Sequence, residues 1–79
     1  MQMPEAPKAK FKSEKALDQK HCVMVAERFR RQSLVSAADL SRETGISQPM
    51  MCLLENGARK WKPEVFEKYI NGIVAIRGK

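Results

Sequence analysis

The chain of 79 residues carries 15 lysines and arginines against 9 acidic residues, which gives a formal net charge of +6. This length allows one small domain and excludes doubly wound nucleotide-binding folds and barrel enzymes, which need far more residues. A hydrophobic content of 43% and a charged content of 30% exclude a chain that is disordered by composition. The longest apolar run, residues 50–54, is too short for a membrane span or a signal peptide, so we expect a soluble cytoplasmic protein that makes no membrane contact.

The charge is unevenly distributed along the chain. Residues 1–20 hold five lysines and three acids, residues 21–56 four arginines and four acids, and residues 57–79 six basic residues and two acids. A neutral middle with basic ends is typical of a module whose flanks contact a polyanion such as nucleic acid. A basic surface that only keeps the protein in solution would give the same pattern.

The first twelve residues contain two prolines and three lysines and show no hydrophobic periodicity. We predict a flexible basic arm over residues 1–12, which either adds nonspecific affinity or is a disordered tail. The domain itself is predicted over residues 13–79, with Ser13 as the N-cap of a first helix that reaches about residue 31. The predicted apolar face of this helix consists of Leu17, His21, Met24, Val25, Arg28 and Phe29.

Two short helices are predicted next. Ser36 is the expected N-cap of a helix over residues 37–44, which ends at Gly45 because glycine adopts the left-handed conformation most readily. Ser47 is the expected N-cap of a helix over residues 47–56. Pro49 fits its first turn, where the missing N–H would have no helical partner.

Pro63 starts the fourth predicted helix, and Gly72 inside it weakens the expectation that this helix is unbroken. Its apolar face consists of Val65, Phe66, Tyr69, Ile70, Ile73, Val74 and Ile76. Four of these residues are candidates for a dimerisation surface, namely Ile70, Ile73, Val74 and Ile76. No segment alternates in the manner of a β-strand, so the predicted fold class is all-α, a small bundle of four or five helices.

The segment between Ala37 and Gly57 carries the most specific pattern. Two helices of about two turns each are joined by a short turn through Gly45, which is typical of helices that cross at a large angle. The residues that carry the pattern are Asp39-Leu40-Ser41, Thr44-Gly45-Ile46-Ser47-Gln48 and Leu54-Glu55-Asn56-Gly57. Over about residues 24–71 the sequence resembles the phage repressor and Cro-like helix-turn-helix family. The resemblance implies a domain that binds operator DNA, usually as a dimer, and a structural ion pair between Arg30 and Glu55.

If the helix after Gly45 enters the major groove, the side chains of its N-terminal half face base edges. Gln48 is the leading candidate because its amide can donate to and accept from adenine at once; the alternative is an ordinary solvent-exposed glutamine. Three apolar residues of this helix either contact thymine methyl groups or pack against protein. The full set of candidates for base readout is Ser47, Gln48, Pro49, Met50, Cys52 and Leu53.

Phosphate contacts are expected at both ends of the module. The free N–H groups that begin the helix after Ser36 could bind an anion, although Ala37 stands where the family usually has a phosphate-binding glutamine. Basic side chains after the following helix could straddle the DNA backbone and release its counterions. The candidates are Ser36, Arg42, Asn56, Arg59, Lys60 and Lys62. Trp61 within this basic loop either packs on a sugar–phosphate ridge or covers the core.

The sequence contains no pattern that indicates catalysis, a metal or a cofactor. His21, Cys22 and Cys52 are not spaced as a zinc site, and there is no glycine-rich phosphate loop. We therefore expect a non-enzyme without a cofactor, in which both thiols are reduced.

Two functions fit these observations. The first is a sequence-specific regulator of transcription, a repressor of the phage or plasmid kind in the bacterial cytoplasm or nucleoid. It would bind a palindromic operator in double-stranded DNA as a homodimer. The second is a protein-binding module or antitoxin that uses the apolar face formed by Met50, Cys52 and Leu53. The salt dependence of binding distinguishes the two functions, because contacts to phosphate weaken steeply as the salt concentration rises and apolar contacts hardly change.

Overall fold

A computed structural model describes residues 6–7 and 17–78 of the chain, and in these residues the fold is all-helical, with four helices and no strand. The helices are α1 (Gln19–Gln32), α2 (Ala37–Thr44), α3 (Gln48–Glu55) and α4 (Pro63–Arg77). Both α3 and α4 pack against α1 and α2. The predicted all-α class is confirmed, and none of the described helices is long and apolar enough to cross a membrane.

The first helix begins later than predicted. Leu17 and Asp18 are not helical, and the Asp18 carboxylate caps α1 by accepting a hydrogen bond of 3.2 Å from the backbone N–H of His21. The prediction of one continuous helix from Ser13 is therefore wrong. Ser13 itself, and all of the predicted arm over residues 1–12 except Ala6 and Pro7, lie outside the described residues.

The predicted apolar face of α1 is wrong in two of its six members: Met24 and Arg28 are exposed, whereas Leu17 and Phe29 are buried and Val25 packs against the core. Cys22, Ala26 and Phe29 are the buried residues of this helix, whereas Met24 is 63% exposed. Both sets of residues recur at helical spacing, so periodicity alone does not separate them. The small side chains of Cys22 and Ala26 let neighbouring elements approach α1 closely, which a face built on Met24 would prevent.

The caps of α2 and α3 are those that the sequence predicts. The Ser36 hydroxyl accepts a hydrogen bond from the N–H of Asp39, and the Ser47 hydroxyl accepts one from the N–H of Met50. Gly45 ends α2 in the left-handed conformation, with φ +79°. A side chain at Gly45 would meet no neighbour, so the backbone conformation alone is what favours glycine there.

The fourth helix is unbroken through Gly72, which is buried against α2. A Cβ atom at this position would lie 2.5 Å from Cγ2 of Thr44 and 2.9 Å from Cδ1 of Leu40. Gly72 is therefore a contact point that lets α2 and α4 approach each other, and it does not interrupt the helix.

The core lies between the four helices. Its buried residues are Leu17, Cys22, Ala26, Phe29, Val35, Leu40, Met51, Leu54, Trp61, Phe66, Tyr69, Ile70 and Ile73. Ile70 and Ile73 are thus parts of this core and are not available for a contact with a second copy of the chain. Of the predicted dimerisation surface only Val74, which is exposed, and Ile76, which is half-buried, remain accessible.

Candidate nucleic-acid interface

The N-terminal half of α3 presents a mixed polar and apolar surface to solvent. Ser47, Gln48 and Pro49 are exposed, and so are Cys52 and Leu53 one turn further on. The buried face of α3 consists of Met51 and Leu54, while Met50 is half-buried and packs against the edge of the core. Five of the six candidates for base readout are therefore exposed, and Met50 is half-buried.

The loop between α3 and α4 exposes its cations and buries Trp61, which stands between Lys60 and Lys62. Trp61 is only 2% exposed, and its indole Nε1 donates a hydrogen bond of 2.9 Å to the carbonyl oxygen of Leu54. The indole also meets the rings of Phe66 and Tyr69 edge to face. Of the two roles predicted for Trp61, packing in the core is the one that is confirmed.

Hydrogen bonds at both ends hold this loop in place. The side-chain amide of Gln19 in α1 accepts a hydrogen bond from the N–H of Trp61 and donates one of 2.7 Å to its carbonyl oxygen. The N–H of Arg59 donates to the carbonyl oxygen of Leu53, at 3.1 Å, and the Asn56 side chain accepts from the N–H of Ala58, at 2.9 Å. The loop backbone is therefore fixed to α1 and α3.

The predicted phosphate-contacting cations of this loop border one groove, which we call the basic groove. Its volume is about 390 Å³, and it lies between the turn before α3, α3 itself, the loop and the start of α4. Its apolar floor consists of Ile46, Met50, Leu54 and Val65, its rim of Arg59, Lys60 and Lys62, and Gly45 and Ser47 complete the lining. None of these lining residues carries a carboxylate, so the groove presents positive charge beside the exposed start of α3.

The other predicted phosphate contacts lie at α2. Ser36 is exposed, and its hydroxyl already serves as the helix cap. Arg42 is exposed too, and it pairs with the carboxylate of Asp39 one turn before it. An exposed pair of this kind contributes about 0–1 kcal/mol, so Arg42 could exchange Asp39 for a phosphate at little cost. The negative charge of Asp39 nevertheless makes this end less attractive to an anion than the basic groove.

The ion pair predicted between Arg30 and Glu55 is present and joins α1 to α3. Nε and Nη2 of Arg30 donate to the two carboxylate oxygens of Glu55 at 2.9 and 3.3 Å, and Nη1 donates to the carbonyl oxygen of Val35 at 3.1 Å. The side chains of Arg30 and Glu55 are only 14% and 9% exposed. Burial by itself would lower the pKa of Arg30, but the hydrogen bonds to and the charge of Glu55 raise that pKa above its ordinary value.

Two residues that support this surface were not predicted from the sequence. Tyr69 donates a hydrogen bond to Glu55, and burial, together with this bond, raises the pKa of Tyr69 far above its usual range, so its hydroxyl stays a neutral donor. Gln19 is the second, since it fixes the loop from 42 positions away in the chain. The helical pattern marks Tyr69 only as part of the apolar face of α4, and no local pattern marks either hydrogen bond, because each joins distant segments.

Comparison with known proteins does not identify a relative: no family model, no curated protein sequence and no solved structure matches this chain significantly. Within residues 6–7 and 17–78 there is also no cluster of histidine, cysteine and carboxylate side chains that could hold a metal ion.

Proposed function

We propose that this chain is a helix-turn-helix protein that binds double-stranded DNA and regulates transcription, as a repressor that recognises a palindromic operator as a homodimer. In this proposal α2 and α3 are the two helices of the motif, and α3 enters the major groove. The observation that carries the proposal is that the exposed start of α3 borders the groove whose rim is formed by Arg59, Lys60 and Lys62. Side chains for bases and cations for phosphates thus lie side by side.

The size and stiffness of the elements support this arrangement. An α-helix fits the major groove of B-DNA, and α3 is tied to the core by Met51, Leu54 and Glu55 while its opposite face is free. The loop cations are positioned by backbone hydrogen bonds and by the buried Trp61. Contacts from preordered elements lose less conformational entropy on binding than contacts from flexible ones.

Selection of bound fragments from random duplex DNA tests the proposal directly. We expect enrichment of an inverted repeat whose half-sites are centred about one helical turn apart, as two copies of α3 would require. Of the four residues predicted for the dimer contact, only Val74 and Ile76 are accessible, because Ile70 and Ile73 are buried. Recovery of unrelated sequences without any common element would refute sequence-specific binding.

Two substitutions separate the predicted roles on the selected site. Gln48→Ala should lower affinity by about 1–3 kcal/mol and relax the preference at one base position. Lys60→Ala should weaken binding to all sequences alike and reduce the salt dependence by the equivalent of about one phosphate contact. Lys68→Ala, which removes an exposed lysine of α4 outside the basic groove, is the matched control and should change little.

A second function is favoured by one observation, which is that Leu53 is 41% exposed beside the exposed Cys52 on α3. These two residues and the accessible part of Met50 could bind another protein, as in an antitoxin that also recognises its operator. Binding that persists at high salt and survives Gln48→Ala would support this alternative and contradict DNA binding as the main activity.

A further inference from the structure

We infer that the basic groove is also a docking site for an acidic segment of a partner protein, one that carries an apolar side chain between its carboxylates, and that this segment excludes DNA when it binds. The exclusion rests on the proposed function, whereas the docking itself does not. The occupant is deduced from the lining of the groove, which combines an apolar floor with a cationic rim.

Recognition of phosphate does not require the apolar floor of the groove. Ile46, Met50 and Val65 are only partly covered by the rest of the chain, and with the buried Leu54 they form the bottom of the groove. A phosphate contact uses N–H groups and cations and gains nothing from aliphatic carbon. Uncovered aliphatic surface next to a polar rim is typical of a site that receives an apolar side chain.

The rim determines the charge of the occupant. Arg59, Lys60 and Lys62 are exposed, and they border the floor without any carboxylate among the lining residues. An acidic segment would pair with these three charges. A neutral segment would leave them without a partner, and a basic segment would be repelled by them.

The open shape of the groove favours a protein segment over a small molecule. A volume of about 390 Å³ has room for a side chain of leucine or phenylalanine size. The groove is partly open to solvent, so a polypeptide can continue along the rim on both sides of its apolar residue. Because Ser47, Met50 and the three rim cations belong to the proposed DNA contacts as well, both partners need the same surface.

The test uses the full chain and a fluorescein-labelled dodecapeptide of alternating Asp and Glu residues with one Leu-Phe pair at its centre. Fluorescence anisotropy should show binding that weakens about tenfold when the pair is replaced by two serines, since the apolar contact is then lost. A third peptide keeps the Leu-Phe pair but has Asn and Gln in place of the acids, and it should bind weakly as well. If the Leu-Phe peptide and the serine peptide bind with equal affinity, the binding comes from attraction between net charges alone, and the inference is overturned.

Two substitutions on α4 provide the matched pair. Val65→Ser removes apolar floor from the groove and should weaken the Leu-Phe peptide about fivefold. Val74→Ser makes the same change at an exposed valine outside the groove and should leave peptide binding unaltered. Thermal melting of both variants confirms that they are folded. Equal effects of the two substitutions would contradict docking in the groove.

Competition with the DNA duplex obtained by selection completes the test. We expect the Leu-Phe peptide to displace the duplex, and the serine peptide to displace it only at about tenfold higher concentration. Duplex binding without peptide binding would overturn this inference and leave the proposed function intact. Peptide binding without duplex binding would support the docking and refute the proposed function. Simultaneous binding of peptide and duplex would refute the claim that the peptide excludes DNA.

Discussion

Replacement of Gly72 by alanine tests whether the close contact between α2 and α4 sets the stability of the domain. In an exposed helix, Gly→Ala stabilises by about 1 kcal/mol. At Gly72 the new Cβ would lie 2.5 Å from Cγ2 of Thr44 and 2.9 Å from Cδ1 of Leu40, both closer than real atoms approach. The Leu40 methyl group is the end of a flexible side chain, so Thr44 determines the outcome.

Thr44 cannot turn away without loss. Its Oγ1 donates to the carbonyl oxygen of Leu40 at 2.8 Å and accepts from the N–H of Ile46 at 3.2 Å, so rotation of the side chain would break both hydrogen bonds. Overpacking of this kind costs about 1–3 kcal/mol, and after the helix-propensity gain we expect Gly72→Ala to destabilise by about 1 kcal/mol. The midpoint of thermal unfolding should then fall by about 4–8 °C.

The assay is calorimetry and urea unfolding of a small set of variants. Asn71→Ala, at the exposed neighbouring position, should raise stability slightly, because alanine favours the helix and crowds no buried neighbour there. Thr44→Ser keeps the hydroxyl but removes Cγ2, so in a double-mutant cycle it should recover about 1 kcal/mol of the loss in Gly72→Ala. A Gly72→Ala protein that melts above the parent, as Asn71→Ala should, would refute the reasoning.

Three further predictions concern the ends and the interior of α1. Arg30→Ala should lower the free energy of unfolding by about 3–5 kcal/mol, because the nearly buried Glu55 carboxylate loses its charge partner; an unchanged melting midpoint would contradict this. Leu34, which is 76% exposed and has φ +59°, occupies the left-handed position after α1, so Leu34→Gly should stabilise by about 0.5–1 kcal/mol in urea unfolding. Burial raises the pKa of the Cys22 thiol from 9.0 to about 11, and the nearby Asp18 carboxylate adds to this. At pH 8 iodoacetamide should therefore label the exposed Cys52 and spare Cys22 until the chain unfolds, and equal labelling of both thiols in mass spectra would refute that prediction.

The features that the sequence predicted correctly depend on interactions between near neighbours. Ser36, Gly45 and Ser47 act on backbone groups within one turn, and the residue types at these positions are sufficient to predict the helix boundaries. The Arg30–Glu55 pair is different, since it spans 25 positions and was expected only from the resemblance to a family.

Apart from the start of α1, which the local Asp18 cap sets, the incorrect predictions involve distant contacts. Helical spacing fits Met24 as well as Cys22, and only the packing of α3 and α4 on α1 determines which of the two is buried. Isoleucine is common both in cores and in apolar interfaces, so the sequence pattern could not show that Ile70 and Ile73 belong to the core. The left-handed Leu34 is also unpredictable from residue type, because leucine disfavours that conformation.

Different parts of α3 hold the helix to the core and face the solvent. Its C-terminal end is held by Glu55, which binds Arg30 and Tyr69, and by Leu54, whose carbonyl oxygen accepts from the buried Trp61. Its N-terminal half is held by the Ser47 cap and, on its inner side, by the buried Met51 and the half-buried Met50, while Gln48 and Pro49 are exposed. Substitutions at the buried end should therefore change stability, and substitutions at the exposed end should change binding. This separation is what makes binding measurements on Gln48→Ala interpretable, because its side chain contributes to no contact that holds the helix.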